Sequence, residues 1–311
     1  MLPREIIKKV KRIELVTRRL VNPQLAGQYH SVFKGRGMDF DEVQPYVAGD
    51  EIRFIDWNVS ARSGSLYVKR FVEERELTVQ IVVDASSSMA FGSRTETKRT
   101  VAAQVAAVLA VLATRNNDRV GLTVFDDEVD LHIAPRKGRK HVMRLITEIL
   151  GHRPRQSRTD IGGALQYVTR VTSRRAIVFV LSDFLAEGWE HELKILARRH
   201  DVVPVIVEDP RELAPADEPA PRGWLGRLTS WLDGGLLAFD DLESGRTGWF
   251  DAGSARHRRR WSERVERRAA ERDRIFQRLR LDTMRFSTAF ESETDYVRPL
   301  ALFFRRRSRR H

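Results

Sequence analysis

The stretch from Thr78 to Phe91, TVQIVVDASSSMAF, constrains the fold more than any other part of the chain. Its apolar, β-branched run ends at Asp84 and is followed at once by small hydroxyl residues, including Ser86 and Ser88. A short apolar run bounded by polar residues is typical of a buried strand. In an open parallel sheet, ligands bind beyond the carboxyl ends of the strands, so a carboxylate and several hydroxyls are expected at that edge. Such oxygen ligands suit Mg²⁺, Mn²⁺ or Ca²⁺.

Strands and helices alternate along residues 76–304, which is the pattern of an α/β domain. After the Asp84 strand, the sequence predicts a buried helix at about 97–117, two strands across an acidic turn at 126–128, helices at 139–151 and 160–172, a strand ending at Asp183, a helix at 189–200 and a strand at 202–209. We therefore expect a doubly wound, Rossmann-like α/β sheet with helices on both faces, plus a short β-rich N-terminal segment.

The chain before this domain has two parts. Residues 4–22 place Ile, Val and Leu at helical spacing between Lys and Arg, and an Asn-Pro step ends the pattern. This helix is expected to pack on its own domain, with docking on a membrane surface or a partner as the alternative. Residues 33–74 are rich in Gly, Asp, Arg and aromatic residues, and they predict short strands at Phe54–Trp57 and Leu66–Phe71. The segment is either a salt-bridged cap on the following domain or a recognition surface.

Pro and Gly are frequent from residue 210 to residue 251. We expect a long loop there, with an amphipathic turn at 224–232 and short β segments near 236–240 and 248–251. A long Arg-rich helix at 255–279, a strand around MRFST and a final helix follow. The predicted division is residues 1–75 for the N-terminal helix and β-rich segment, 76–304 for the α/β domain with an insertion at about 210–252, and 305–311 for a basic tail.

The positive charge is concentrated near the C-terminus. The formal net charge is +12, and residues 254–311 contain 18 Arg against 8 acidic residues. Such a surface binds nucleic acid, anionic lipid or an acidic protein, or is a solvated helix face followed by a basic tail. No nucleic-acid-binding motif accompanies the charge, which favours the solvated helix. The lack of cysteine, of a signal sequence and of a membrane-length apolar run predicts a cytoplasmic protein.

Short polar motifs coincide with strand ends and helix starts. They are D-x-S-x-S at 84–88, Thr159-Asp160 and Ser182-Asp183. Each is explained singly as a helix cap, because Ser, Thr and Asp are preferred at that position. In a doubly wound sheet, however, such positions can share one edge. The combination is therefore more informative than its parts.

The combination resembles the metal-ion-dependent adhesion site of von Willebrand factor A (vWA) domains. The matching stretches are DASSS at 84–88, RTDIGGAL at 158–165 and VFVLSDF at 178–184. More specifically, the chain resembles the DUF58 family, whose hallmark is the segment before that domain, here GRGMDFDEVQPYVAGDEIRFIDWNVSARSGSLYVKRFVEERE. The resemblance covers about residues 30–209 and, more loosely, the MRFST strand and the final helix. It implies a vWA-type sheet.

The resemblance also implies a set of metal ligands. Ser86 and Ser88 would bind the cation through their hydroxyls, and Thr159 would contribute its hydroxyl directly or through water. Asp84 and Asp183 would act mainly through water. This set suits Mg²⁺, which demands octahedral oxygen geometry and keeps several waters, with Mn²⁺ or Ca²⁺ as alternatives. An open position on the ion would then accept one carboxylate from a partner protein.

One residue departs from the expected pattern. Arg158 stands before Thr159, where the resemblance leads us to expect glycine. A cationic side chain beside the site would either weaken ion binding or help to attract an acidic partner.

The sequence favours a non-enzymatic, metal-dependent protein-binding module. The resemblance implies a MoxR-type AAA+ ATPase as its partner in complex assembly or maturation, with other vWA-domain proteins as further partners. The candidate partner-contacting residues of the β-rich segment are Arg36, Asp39, Glu42, Arg53, Asp56, Trp57 and Arg62. The alternatives are a metal-assisted hydrolase, although the common hydrolase and nucleotide-binding motifs are absent from the sequence, and anionic-surface or nucleic-acid binding through the Arg-rich C-terminus.

Overall fold

A mostly parallel sheet with helices on both faces forms the body of the protein. The computed structural model describes residues 4–33, 39–72, 76–92, 96–152, 159–210, 236–241, 246–251, 255–289 and 293–310. Within these residues the predicted doubly wound, vWA-type α/β sheet is confirmed, as is the short β-rich segment that precedes it.

The helices follow the predicted order, with two additions in the N-terminal part of the chain. They are α1 (Arg4–Leu20), α2 (Pro23–Phe33), α3 (Trp57–Ser63), α4 (Lys98–Arg115), α5 (Arg139–Gly151), α6 (Ile161–Val171), α7 (Glu190–Arg199), α8 (Ala255–Arg278) and α9 (Val297–Ser308). Short 3₁₀ turns span Ile52–Phe54, Ser87–Ala90 and Glu293–Tyr296. In the described part of the chain, none of the helices combines the length and apolar content needed to cross a bilayer.

The strands form one large sheet and two small ones. They are β1 (Asp39–Pro45), β2 (Tyr67–Val72), β3 (Thr78–Asp84), β4 (Arg119–Phe125), β5 (Val129–Arg136), β6 (Ile177–Ser182), β7 (Asp201–Glu208), β8 (Leu236–Asp241), β9 (Arg246–Asp251) and β10 (Met284–Ser287). The large sheet has the order β10-β7-β6-β3-β4-β5, in which only β5 runs antiparallel to its neighbour. Antiparallel pairs β1–β2 and β8–β9 form the small sheets.

The register of the large sheet brings three strand ends together. β3 lies between β4 and β6, with Asp84 opposite Phe125 of β4 and Val83 opposite Leu181 of β6. Because these strands are parallel, their carboxyl ends meet at one edge of the sheet. The polar residues that follow β3, β4 and β6 therefore come close to one another, as expected for a doubly wound fold.

Both faces of the sheet are buried, which explains why its strands read as continuous apolar runs. Val79, Ile81 and Val83 of β3 point into a core shared with α1, α2, α4, α5 and α9. Val82 points to the opposite side, into a core shared with α6, α7 and α8. Alternate residues of one strand thus anchor two separate helix layers.

The N-terminal helices belong to the first of these cores. Val10 and Ile13 of α1 are buried there, so the predicted packing of this helix on its own chain is confirmed. The Asn-Pro step ends α1, as predicted. It also begins α2, which was not predicted. The Asn22 side chain accepts a hydrogen bond from the Leu25 amide at 2.8 Å, and Pro23 occupies the first helical position, where its lack of an N–H has no cost.

The predicted strand at Phe54–Trp57 is wrong. A 3₁₀ turn ends at Phe54, a single β-bridge joins Ile55 to Val68, and α3 begins at Trp57. The cause is Asp56, whose carboxylate accepts hydrogen bonds from the amides of Asn58 and Val59 and so caps a helix. The predicted strands at Leu66–Phe71, 236–240 and 248–251 are confirmed as β2, β8 and β9, whereas the predicted turn at 224–232 lies outside the described residues.

Part of the C-terminal positive charge is structural. Arg272 of α8 is buried and pairs with Glu208 at 2.6 Å. Arg307 of α9 is also buried, pairs with Asp201 and lies over the Phe33 ring at 4.9 Å. These two arginines hold helices on the sheet, while most of the other arginines described in α8 and α9 are exposed.

The Tyr29 hydroxyl ties α2 to the α/β domain and gives a test of that packing. It is fully buried and donates a hydrogen bond to Asp118 at 3.1 Å, just before β4. We expect Tyr29→Phe to lower the free energy of unfolding by about 1–3 kcal/mol, because a hydrogen bond to a buried carboxylate is lost. Chemical denaturation measures the change. Tyr167→Phe is the matched control and should be near neutral, and equal stability of the two variants would contradict the expectation.

Candidate metal centre

Asp84 lies at the end of β3 with its carboxylate fully buried. One carboxylate oxygen accepts a hydrogen bond from the Ser86 amide at 3.0 Å. The other accepts a hydrogen bond from the Ser182 hydroxyl at 2.7 Å, which comes from the end of β6. The carboxylate is therefore fixed between two neighbouring strand ends.

Ser86 and Ser88 place two hydroxyls side by side just beyond Asp84. Their Oγ atoms are 3.1 Å apart, with Ser86 fully buried and Ser88 half-buried. A 3₁₀ turn that begins at Ser87 brings them onto the same side of the loop. Two adjacent ligands of an octahedral Mg²⁺ ion, each about 2.1 Å from it, are about 3 Å apart. The 3.1 Å separation is that of a hydrogen bond between the two hydroxyls, and it also matches the spacing of two ligands of one ion.

Asp183 follows β6 and faces the same edge. One of its carboxylate oxygens accepts a hydrogen bond from the Leu185 amide at 3.1 Å, and its backbone carbonyl accepts one from the Arg272 guanidinium at 2.8 Å. The next residue, Phe184, adopts a left-handed φ of 55°, which is unusual for a bulky side chain. Its ring packs on Trp189 in the second core, so the turn that presents Asp183 is held from both sides.

Lys98 is a residue of this edge that the sequence pattern did not reveal. It lies in the first turn of α4, its side chain has no exposed surface, and its ammonium donates to the Asp183 carboxylate at 2.8 Å. A lysine is almost never fully buried unless it is paired. Its position in a helix predicted to be buried on most sides was the available signal, because such a helix leaves a charged residue little access to solvent.

The two carboxylates are in different electrostatic states. Burial raises the pKa of Asp84 to about 6, and the negative charge of Asp183 adds to that rise. Burial also raises the pKa of Asp183, but the charge and hydrogen bond of Lys98 outweigh it and hold that pKa below its ordinary value. Asp183 is therefore ionised at neutral pH, while Asp84 loses its proton only as the pH rises through about 6.

Thr159 is placed at the same edge by the start of α6. The Asp160 amide donates to the backbone carbonyl of Asp126, at the end of β4, at 2.8 Å. Asp160 caps α6 by accepting from the Gly163 amide at 2.8 Å, and a Cβ on Gly163 would meet that carboxylate at 2.4 Å. Among the described residues the Thr159 hydroxyl makes no direct hydrogen bond to the other four predicted ligands, and Arg158 lies outside the described residues.

The donor set at this edge fits a Mg²⁺ ion. Two hydroxyls stand at the required spacing, and two carboxylates of adjacent strands lie beside them. A carboxylate has about four lone-pair sites, so the hydrogen bonds already made leave both acids able to accept from metal-bound water. The competing feature is Lys98, whose ammonium neutralises Asp183 without any metal.

The described candidate partner-contacting residues lie in β1 and in the turn and short helix that follow it. Trp57 is 65% exposed at the start of α3, and Arg62 is exposed at its end. Arg53 pairs with Glu51 and lies over the Phe54 ring. The remaining candidates are Asp39 and Glu42 in β1, Asp56, which caps α3 and pairs with Lys69 at 3.4 Å, and Arg36, which lies outside the described residues.

The chain matches one protein family and several uncharacterized relatives. A family model described as "Protein of unknown function DUF58" matches residues 42–219. Uncharacterized proteins of Mycobacterium bovis and Mycobacterium tuberculosis are each 30% identical to the chain over 207 residues. The match covers 66% of this chain and spans 65% of the length of each relative.

Solved structures with a similar fold are more distant in sequence. An aerotolerance-related membrane protein from Bacteroides fragilis is 14% identical, with a TM-score of 0.43, and the match covers 74% of this chain and 99% of that chain. The vWA domain of SpRpn10 is 11% identical, with a TM-score of 0.36, and the match covers 72% of this chain and 94% of that domain. At these identities the similarity concerns the fold alone.

Proposed function

The chain belongs to the DUF58 family of proteins of unknown function, and from the geometry of its site we propose that it is a non-enzymatic protein-binding module that uses a divalent cation at the Asp84 site. Its vWA-like fold is of a kind suited to protein interaction. Because a fold does not fix a function, the proposal depends on the site itself.

The spacing of Ser86 and Ser88 is the observation that supports the proposal most. Their hydroxyls are 3.1 Å apart, as adjacent ligands of one ion would be. Neutral hydroxyls in direct contact leave the charge of an ion largely uncompensated, in contrast to a site built from direct carboxylate ligands. When bound, Mg²⁺, or Mn²⁺ or Ca²⁺ in its place, would supply an open coordination position for a carboxylate oxygen of the partner.

Each residue of the site has a separate task in this proposal. Ser86 and Ser88 bind directly, Thr159 binds directly or through water, and Asp84 and Asp183 hold the water shell by accepting hydrogen bonds. Phe91, which is 42% exposed and lies just past the serine turn, offers an apolar contact beside them. This combination of a charged centre and an apolar neighbour suits a protein surface better than a small hydrolysable substrate.

We propose a MoxR-type AAA+ ATPase as the partner, with other vWA-domain proteins as further partners. This choice is carried by the family resemblance, and the exposed apolar residues of the β-rich segment support a second contact surface. Trp57, Ile52 and Val47 are 65–67% exposed within that segment. Interaction surfaces are marked by contiguous exposed apolar patches, and these three side chains are the candidates for one.

Binding of the full chain to a MoxR-type ATPase tests the proposal. We expect the double variant Ser86→Ala/Ser88→Ala to bind at least about tenfold more weakly in Mg²⁺, because a loss of metal ligands costs about that factor or more. EDTA should weaken binding of the wild-type protein to the level of the double variant, and it should leave binding of the double variant unchanged. Calorimetry or surface plasmon resonance gives the dissociation constants.

Two further variants sharpen this experiment. Ser308→Ala removes an exposed hydroxyl far from the site in sequence and should bind like the wild type. Trp57→Ala should weaken binding in Mg²⁺ and in EDTA alike, since it removes a contact independent of the ion. Binding that is indifferent to EDTA and to the double variant would rule out the metal-dependent mechanism.

A further inference from the structure

A second group of metal-ligating side chains lies beside the Asp84 site. Asp126, Asp130 and His152 each offer one ligand atom, and these atoms all lie within 4.8 Å of one another. Asp126 is fully buried, and the side chains of Asp130 and His152 are 4% and 12% exposed. Clustered carboxylates are common on protein surfaces, but two carboxylates and an imidazole buried together are not.

Three separate elements hold these residues in place. Asp126 directly follows β4, and its carboxylate accepts a hydrogen bond from the Asp127 amide at 2.6 Å. Asp130 belongs to β5, which is paired with β4 along most of its length. His152 caps the C-terminus of α5, and its backbone carbonyl accepts from the Arg99 guanidinium at 2.9 Å. The ligand atoms therefore come from the β4–β5 hairpin and the end of α5 rather than from one loop.

We propose that Asp126, Asp130 and His152 bind one Zn²⁺ ion, in a site separate from the Asp84 site. The ligand types point to this ion, because imidazole nitrogen and carboxylate oxygen together suit zinc, whereas an oxygen-only set suits Mg²⁺. The distance from His152 Nε2 to Asp130 Oδ2 is 3.2 Å. Two ligands of a tetrahedral zinc ion, each about 2.0–2.1 Å from it, are about 3.3 Å apart.

The two sites are adjacent but do not share ligands. The Arg99 guanidinium lies between them, donating to the His152 carbonyl on one side and to the Ala85 carbonyl, next to Asp84, on the other. His152 and Thr159 are seven positions apart in the sequence, so the zinc site anchors the chain shortly before a residue of the Asp84 site. The inference does not rest on the proposed function, since it requires neither the partner nor the Asp84 site.

Zinc titration of the full chain in excess Mg²⁺ tests this site. We expect one Zn²⁺ per chain by calorimetry and a rise in melting temperature of about 5 °C at a hundredfold excess over the dissociation constant. Asp130→Asn and His152→Gln should each weaken zinc binding by at least about tenfold. His191→Gln, which changes an exposed histidine of α7, is the matched control and should bind like the wild type.

The visible absorption of bound Co²⁺ tests the site in the wild-type protein itself. Co²⁺ bound by the wild-type protein should show the intense visible absorption of a four-coordinate ion, and Zn²⁺ should displace it. Asp84→Asn should leave this spectrum unchanged, which separates the two sites. If the wild type binds neither ion in excess Mg²⁺, or if Asp130→Asn and His152→Gln both bind as tightly as His191→Gln, the group is an ion pair and the proposal is overturned.

Discussion

A Lys98→Met variant is expected to be less stable than the wild-type protein by about 3–5 kcal/mol at pH 7 in EDTA, because breaking a buried ion pair leaves one charge uncompensated. The Lys98 side chain has no exposed surface, and its ammonium lies 2.8 Å from the Asp183 carboxylate, which is 6% exposed. Methionine keeps most of the apolar stem and removes only the charge. Denaturant titration followed by circular dichroism measures the difference.

Added Mg²⁺ should distinguish the variant from the wild type. In the wild type the positive charge of Lys98 partly compensates the negative charges of Asp84 and Asp183. Without Lys98, these carboxylates should bind a cation more tightly. We therefore expect Mg²⁺ to raise the melting temperature of Lys98→Met more than that of the wild type. Lys194→Met, at an exposed position of α7, is the control and should change neither property. A Lys98→Met protein as stable as the wild type in EDTA would show that the pair contributes nothing.

An Asp84→Asn variant is expected to be more stable than the wild type by up to about 3 kcal/mol at pH 8 in EDTA. Burial and the charge of Asp183 raise the pKa of Asp84 from its ordinary 3.8 to about 6. A difference of about two units corresponds to about 3 kcal/mol at a pH above both values. Asparagine resembles the protonated acid, and the Ser182 hydroxyl that donates to Asp84 can reverse its hydrogen bond to accept from the new amide.

The pH dependence of this difference follows from the direction of the shift. The folded state binds the Asp84 proton more tightly than the unfolded state does. The resulting contribution to the stability of the wild-type protein is complete below about pH 4 and is lost as the pH rises through about 6. The two proteins should therefore be close in stability at pH 4 and diverge toward pH 8. Excess Mg²⁺ should reverse the order at pH 8, because only the wild type gains from the ion.

Unfolding curves at pH 4, 6 and 8, with EDTA or Mg²⁺, provide the measurement. Asp282→Asn is a suitable control, because that side chain is 25% exposed and its ion pairs, with Arg310 and at 4.0 Å with Arg307, are separate from the Asp84 site. A constant difference between Asp84→Asn and the wild type across this pH range would mean that Asp84 is ionised throughout. That result would point to Lys98 compensating both carboxylates rather than Asp183 alone.

The strand ends of the site were predictable because they depend on local sequence. Apolar runs that stop at Asp84 and Asp183 define buried strands, and the parallel order brings their ends together. Asp84, Ser86, Ser88 and Asp183 lie together at this edge, and their role as metal ligands stays a prediction. For Thr159 the structure gives the edge of the sheet but no direct contact with the others, so its role as a ligand stays a prediction.

Long-range pairing and local capping account for what the sequence did not reveal. Lys98 and Asp183 are 85 residues apart, and no periodicity relates a helix start to a distant strand end. At Phe54–Trp57 the aromatic and β-branched residues favour a strand, but the cap formed by Asp56 prevails. At Asn22 the same residue pair ends one helix and begins the next, a double role that only the packing of α2 settles.

The ties of Tyr29 to Asp118 and of Arg307 to Asp201 have a practical consequence for probing the site. Asp118 precedes β4 and Asp201 begins β7, so both ties lie at the amino edge of the parallel strands. Asp84 and Asp183 lie at the carboxyl edge, about 26 Å away for a strand of eight residues. A fluorophore or immobilisation tag fused beyond α9 would thus be attached near the amino edge of the sheet, opposite the site. Single-molecule or surface-based measurements can use that attachment point and leave the carboxyl edge open to a partner.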